Sequence, residues 1–146
     1  MARALDAPHA GPAVGPGASL KSDPADQAWQ LLYVAFVVAP IVAGVDKFFG
    51  LLANWDQYLA PIFAQMSPIG GHGLMLVIGV VEVIAGLIVF WKPRIGGYLV
   101  AVWLWGIILN LLLIPAYFDI ALRDFGLSLG ALAFARLSER LPARRW

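Results

Sequence analysis

An acid stands alone in the middle of an apolar run, and that is where any chemistry in this chain begins. Glu82 is the only charge between about Gly73 and Trp91. It lies ten residues beyond His72, or ~15 Å along a helix, close to the midplane if that helix crosses a bilayer. A charge at that depth costs at least ~2.5 kcal/mol to insert. It must therefore face other helices, meet a cation or carry a proton. Three kinds of chemistry are open to it. Neutralised by Lys or Arg, it belongs to a structural network that fixes helix register. Beside donors such as Asn110 or Arg123, it lines a pocket for a small polar molecule, a quinone headgroup being one example. Left free to exchange a proton, it serves a relay.

The spacing of the neighbours decides which partners can reach it. Gly79 and Gly86 share the face of Glu82 at i−3 and i+4, and small residues mark where transmembrane helices approach closely. Tyr33, Val37, Pro40, Gly44 and Lys47 form one face of the preceding apolar stretch. Asn110 shares a face with Trp103 and Gly106, and Arg123 shares one with Gly126 and Gly130 in a GxxxG pattern. These faces are expected to converge on one polar group made of Asp46, Lys47, Glu82, Asn110, Arg123 and Asp124. Gly44, Gly79, Gly86, Gly126 and Gly130 are the expected helix-packing positions. No residue has a catalytic context. Ser67 and Ser128 lack a Ser-His-Asp setting in sequence, and His72, with Asp46 or Asp56 as its nearest candidate co-ligands, matches no metal-binding motif.

Four apolar stretches must position these residues: about 29–48, 73–91, 95–117 and 120–137. The first is 20 residues long, enough at ~1.5 Å per residue to cross ~30 Å of hydrocarbon. The last is the weakest, because Arg123 and Asp124 lie near its start. The expected fold is all-α, an integral membrane four-helix bundle spanning residues 28–141. Residues 1–27, rich in Ala, Gly and Pro, read as a cytoplasmic disordered tail, and 142–146 as a basic C-terminal tail. Asp23-Pro24-Ala25-Asp26 reads as a helix start. Between Gly50 and His72, Leu51, Leu52, Trp55, Tyr58, Leu59, Ile62, Phe63 and Met66 recur at helical spacing. They predict one or two short amphipathic helices on the membrane surface, broken near Pro61, acting as a lid, a docking surface or a seal on one end of the bundle. Pro40 and Pro115 are expected to kink or end helices.

Composition supports this and excludes much else. Of the 146 residues, 61% are hydrophobic and 13% charged, against about 45–50% and about 25% in soluble domains. A net charge of +1 gives no basic surface for nucleic acid. The absence of cysteine removes disulfides, thiol redox chemistry, iron–sulfur clusters and Cys-ligated zinc. With four spans, eight basic residues (Arg3, Lys21, Lys92, Arg94, Arg136, Arg140, Arg144, Arg145) fall on one side and two (Lys47, Arg123) on the other. That bias puts both termini in the cytoplasm and the chain in the cytoplasmic membrane. Trp29, Trp91, Tyr98 and Trp146 then mark the inner interface, and Trp55, Tyr58 and Tyr117 the outer one.

The chain resembles the DoxX/DoxD-like family of small four-helix membrane proteins. The resemblance rests on Gly44-Val-Asp-Lys47-Phe48, Gly79-Val-Val-Glu82-Val-Ile-Ala-Gly86-Leu, Pro93-Arg94-Ile-Gly-Gly-Tyr and Phe118-Asp-Ile-Ala-Leu-Arg-Asp124-Phe-Gly-Leu-Ser-Leu-Gly-Ala-Leu, in that order over residues 30–138. It implies an accessory small subunit of a respiratory or other quinone-linked membrane oxidoreductase complex, with Lys47, Glu82 and Asp124 as the family's recurrent polar positions. The chain would bind no cofactor alone, a quinone or lipid being the only candidate ligand. Any electron transfer would belong to a larger, cofactor-bearing partner. Two other classes stay open: a small transporter or permease-like oligomer with a polar path through Glu82, and a purely structural scaffold.

Overall fold

The computed structural model describes residues 23–140, so the N-terminal tail up to residue 22 and the basic tail at 142–146 lie outside the described residues. Within them the chain is all-helical: α1 (Pro24–Phe49), a 3₁₀ turn (Trp55–Tyr58), α2 (Pro61–Met66), α3 (Gly70–Trp91), α4 (Pro93–Leu112) and α5 (Phe118–Arg140). Three of these, α1, α3 and α4, are long and apolar enough to cross a membrane. They are 26, 22 and 20 residues long, or roughly 39, 33 and 30 Å. α5 is 23 residues long but carries Asp119, Arg123 and Asp124 near its start and Arg136, Glu139 and Arg140 near its end.

Local chemistry sets the helix limits. The Asp23 carboxylate accepts the Ala25 amide at 3.1 Å, and Pro24, which has no N–H to satisfy, occupies the first helical position. Helical order thus begins at Pro24, four residues inside the tail expected over 1–27. α1 stops at Gly50, whose φ of +63° only glycine adopts cheaply and whose N–H returns to the Asp46 carbonyl at 2.6 Å. The third apolar stretch, expected to run to Tyr117, leaves the helix at Leu112. Pro115 is the reason: it has no amide to bond back to Leu111 and disfavours helical geometry at Ile114. The segment between α1 and α3 forms the 3₁₀ turn and α2, with Pro61 starting α2.

The long helices pack as antiparallel neighbours. α1 lies along α3 and α4 along α5, while α3 turns tightly into α4 and α1 touches α5. Glycines govern the α1–α3 approach. A Cβ at Gly44 would lie 2.5 Å from the Gly79 carbonyl oxygen, and one at Gly86 would lie 2.6 Å from Ile41 Cγ1. Gly97 in α4 similarly admits Phe134 and Ala135 of α5, and Gly96 admits Val89 at the α3–α4 turn. Sequence spacing had not singled out this second pair. The largest core cluster joins Phe36, Val89, Val100, Ala101, Ala131 and Phe134; a second, of Ile108, Leu111 and Ala121, lies beneath Tyr58 and Tyr117. Leu31, Val34, Val38, Val42 and Val45 line an exposed apolar stripe along α1.

The GxxxG pair of α5 does not pack as the other glycines do. Gly126 is exposed with nothing within 4 Å of a Cβ, and Gly130 makes ordinary contact with Phe36. Spacing alone cannot tell which face of a helix is turned inward, and α5 turns Ala121, Asp124, Ser128 and Ala131 to its neighbours. Gly44→Val should therefore destabilise the protein by about 1–3 kcal/mol. Gly126→Ala should be neutral or stabilise by up to about 1 kcal/mol, since it removes only helix-breaking entropy. Unfolding by sodium dodecyl sulfate from mild-detergent micelles measures both; equal losses would contradict this packing.

Candidate functional site

The α1–α3 contact determines where Lys47 goes. Lys47 follows Gly44 by one turn, and Cα–Cβ bonds in a helix tilt toward its N-terminus, so the side chain runs back along α1. A Cβ at Gly79 would lie 3.1 Å from Lys47 Cβ. The bare backbone at Gly79 is thus the floor on which the lysine stem rests. At the end of that path Lys47 Nζ donates to Glu82 Oε2 at 2.5 Å. The two side chains keep only 3% and 10% of their surface exposed.

Trp55 closes this pair from the side of the 3₁₀ turn, its ring centroid 3.8 Å from Lys47 Nζ. A cation held against a desolvated indole face gains about 2 kcal/mol. Asp46 holds the ring in place: its Oδ2 accepts the Trp55 indole N–H at 2.7 Å and the Leu52 amide at 3.0 Å, while Oδ1 accepts the Leu51 amide at 3.0 Å. A carboxylate at a helix C-terminus opposes the helix dipole. These three donors explain why one is tolerated there.

Asn110 does a related job from α4. Its Oδ1 accepts the Ala60 amide at 2.9 Å, and its Nδ2 donates to the Tyr58 carbonyl at 2.6 Å. Ala60 is fully buried, so the first bond satisfies an amide that water cannot reach. His72 Nδ1 meets Asp56 Oδ2 at 2.9 Å with both groups exposed, tying the 3₁₀ turn to the start of α3. Asp46 lies elsewhere, bonded to Trp55. Among the described residues no three of His, Cys, Asp and Glu come together as metal ligands would.

The expected six-residue group therefore resolves into separate arrangements. Asp46, Lys47 and Glu82 share one, closed by Trp55. Asn110 meets it only through the segment it anchors, where Trp55 and Tyr58 rings touch edge to face at 6.2 Å. Arg123 and Asp124 stand apart, paired with each other at 3.1 Å. The Arg123 side chain is 65% exposed and the Asp124 side chain 7%. Among the described residues no hydrogen bond or ion pair joins Arg123 to Glu82. Neighbouring residues on one helix point about 100° apart, so Asp124 turns inward while Arg123 turns out and reaches back with its guanidinium. Spacing did not reveal Trp55 as part of the site. The signal was present in Asp46, an acid at a helix end that needs donors just downstream.

Chemically, this is a neutralised ion pair with an aromatic cover. Lys47→Met or Glu82→Gln alone strands one buried charge and should cost about 3–5 kcal/mol. The double variant strands neither and should recover most of that loss. A double-mutant cycle of unfolding free energies in micelles tests this; simple additivity would show that the pair is not coupled. Comparison with family models, curated proteins and solved structures finds no match for this chain.

Proposed function

We propose that this protein is a four-span, DoxX-like membrane subunit that serves as an accessory to a larger, cofactor-bearing oxidoreductase complex of the cytoplasmic membrane. The observation that carries this reading is the 2.5 Å pairing of Glu82 with Lys47 inside the helix contact. The one acid deep in an apolar helix is spent on holding helices together. What the protein offers to other molecules is then its outside, where α1 presents a continuous apolar stripe from Leu31 to Val45. The family resemblance supplies the class of partner, and a quinone would bind where this chain meets that partner. Purification from native membranes in a mild detergent should bring down a larger membrane protein with a redox cofactor. Recovery as a lone homo-oligomer would overturn the accessory reading and favour a transporter or scaffold.

The same reading makes α5 the fourth span and lays the 3₁₀ turn and α2 on the membrane surface. Antiparallel packing against α4 supports the first: Trp105 meets Phe125 near one end, and Tyr98 donates to Glu139 at 2.8 Å near the other. The apolar outward side chains Leu122, Phe125, Leu129 and Leu132 suit lipid. The basic-residue bias supports cytoplasmic termini. Because the chain has no native cysteine, single-cysteine labelling tests the topology directly. Gln57→Cys and Arg140→Cys should react with an impermeant maleimide from opposite faces of membrane vesicles. Labelling from the same face would mean that α5 does not cross.

A further inference from the structure

The end of the helices remote from Lys47 holds a cleft that the proposed function leaves unused. It has a volume of about 240 Å³ and is lined by Trp29, Trp91, Lys92, Arg94, Ile95 and Ser138, together with Pro93. Two walls are fixed. Trp29 donates its indole N–H to Ser138 Oγ at 2.7 Å, and Ser138 donates to the Phe134 carbonyl at 2.8 Å. The floor is the start of α4, where no side chain caps the helix and Gly96 is the first amide to bond back, to the Lys92 carbonyl at 2.8 Å. The amides of Arg94 and Ile95 therefore have no acceptor within α4, and the helix N-terminus carries partial positive charge there.

The charges around the cleft are unevenly used. Glu139 is taken by Arg136 at 2.9 Å, by the Tyr98 hydroxyl at 2.8 Å and, more loosely, by Arg94 at 3.5 Å. Asp23 caps α1 and Asp26 lies in its first turn. Lys92 is exposed and has no ion pair among the described residues. Two cations, two indoles and a helix N-terminus thus meet at the end of three span-capable helices, the level at which a bilayer presents its headgroups. The cleft is small beside the ~300–1,000 Å³ of pockets that enclose a drug-sized molecule. A space of that size suits a small charged group.

We propose that this cleft binds the phosphate of an anionic phospholipid. Lys92 and Arg94 supply the charge, the first-turn amides of α4 supply hydrogen bonds, and Trp29 and Trp91 lie against the glycerol and upper acyl chains. The proposal rests on the membrane reading above. Two tests separate them: if alkaline carbonate washes the protein from membranes, that reading fails; if the protein stays integral yet shows no lipid preference, only the site fails. The full chain purified in mild detergent is titrated with phosphatidylglycerol, phosphatidylcholine or inorganic phosphate, with native mass spectrometry as the readout. Phosphatidylglycerol should be retained about tenfold or more over phosphatidylcholine. Lys92→Gln with Arg94→Gln should abolish that preference, whereas Arg140→Gln, outside the cleft, should keep it. If the double variant does not fold, Lys92→Glu alone reverses a charge that no ion pair holds among the described residues and should weaken retention in the same sense. Equal retention of both lipids, or equal loss in Arg140→Gln, would overturn the proposal. Displacement of the lipid by low-millimolar inorganic phosphate would assign the site to free phosphate instead.

Discussion

Two opposite charges in an apolar interior must meet, and the way they meet sets the shape of half this molecule. Burying Lys47 and Glu82 separately in hydrocarbon costs about 2.5–3.5 kcal/mol each, or about 5–7 kcal/mol together. At their 2.5 Å separation, and an effective dielectric constant of about 20, the attraction is about 7 kcal/mol. The two figures nearly cancel, so the pair adds little to stability by existing. It opposes every arrangement of α1 against α3 in which the two charges do not meet. A slip of one helical turn would move the ammonium about 5.4 Å and leave both charges buried and unpaired. Gly44 and Gly79 make the required approach sterically allowed, and the ion pair makes it the only acceptable one.

The other polar residues at that end answer a second constraint. The segment from Gly50 to Ile69 folds back over the helix ends, buries Leu59 and Ala60, and carries backbone groups that need partners. Asp46 takes up two amides and an indole there, and Asn110 takes up an amide and supplies a donor. Each side chain is spent closing the segment over the ion pair, and Trp55 is held where its ring covers the lysine. The charged centre is therefore sealed by the residues that flank it. This is the physical ground for reading Glu82 as architecture and for looking to the outer surface for function.

Much of this was legible in the residues and some of it was not, for identifiable reasons. Glu82 had to turn inward because its helix offers it nothing else, and the glycines on its face pointed to the neighbour. Asp23-Pro24 announced a helix start because capping is local chemistry. Gly96 and Gly97 were missed because they adjoin a turn, where glycine is usually explained by the turn. Gly126 was over-read because a GxxxG pattern does not say which way its face points. Arg123 is expected beside Glu82 because it shares a helix face with Gly126 and Gly130, but that side chain is turned outward and pairs with Asp124. The premature end of α4 was in principle readable at Pro115, but the apolar run continued past it to Tyr117, and hydropathy does not register a missing amide.

The two ends of the helices thus handle charge in opposite ways. At the Lys47 end the buried acids and the lysine are bonded inward, and the exposed Arg123 is turned back onto Asp124. At the Trp29 end the aromatic rings pack on one another, with Trp29 stacked on Tyr33 at 5.1 Å and tilted against Phe134 at 6.0 Å. The cations there stay on the rim, and among the described residues Lys92 and Arg140 have no ion pair. A fold that must neutralise charge wherever water is excluded has no such need at a surface, where water solvates an unpaired cation and leaves it open to an external anion. In a helical membrane protein the nearest external anion is the headgroup layer. That asymmetry follows from the dielectric boundary: a buried charge must be met by the chain itself, as Glu82 is by Lys47, whereas an exposed one such as Lys92 can be left to the surroundings.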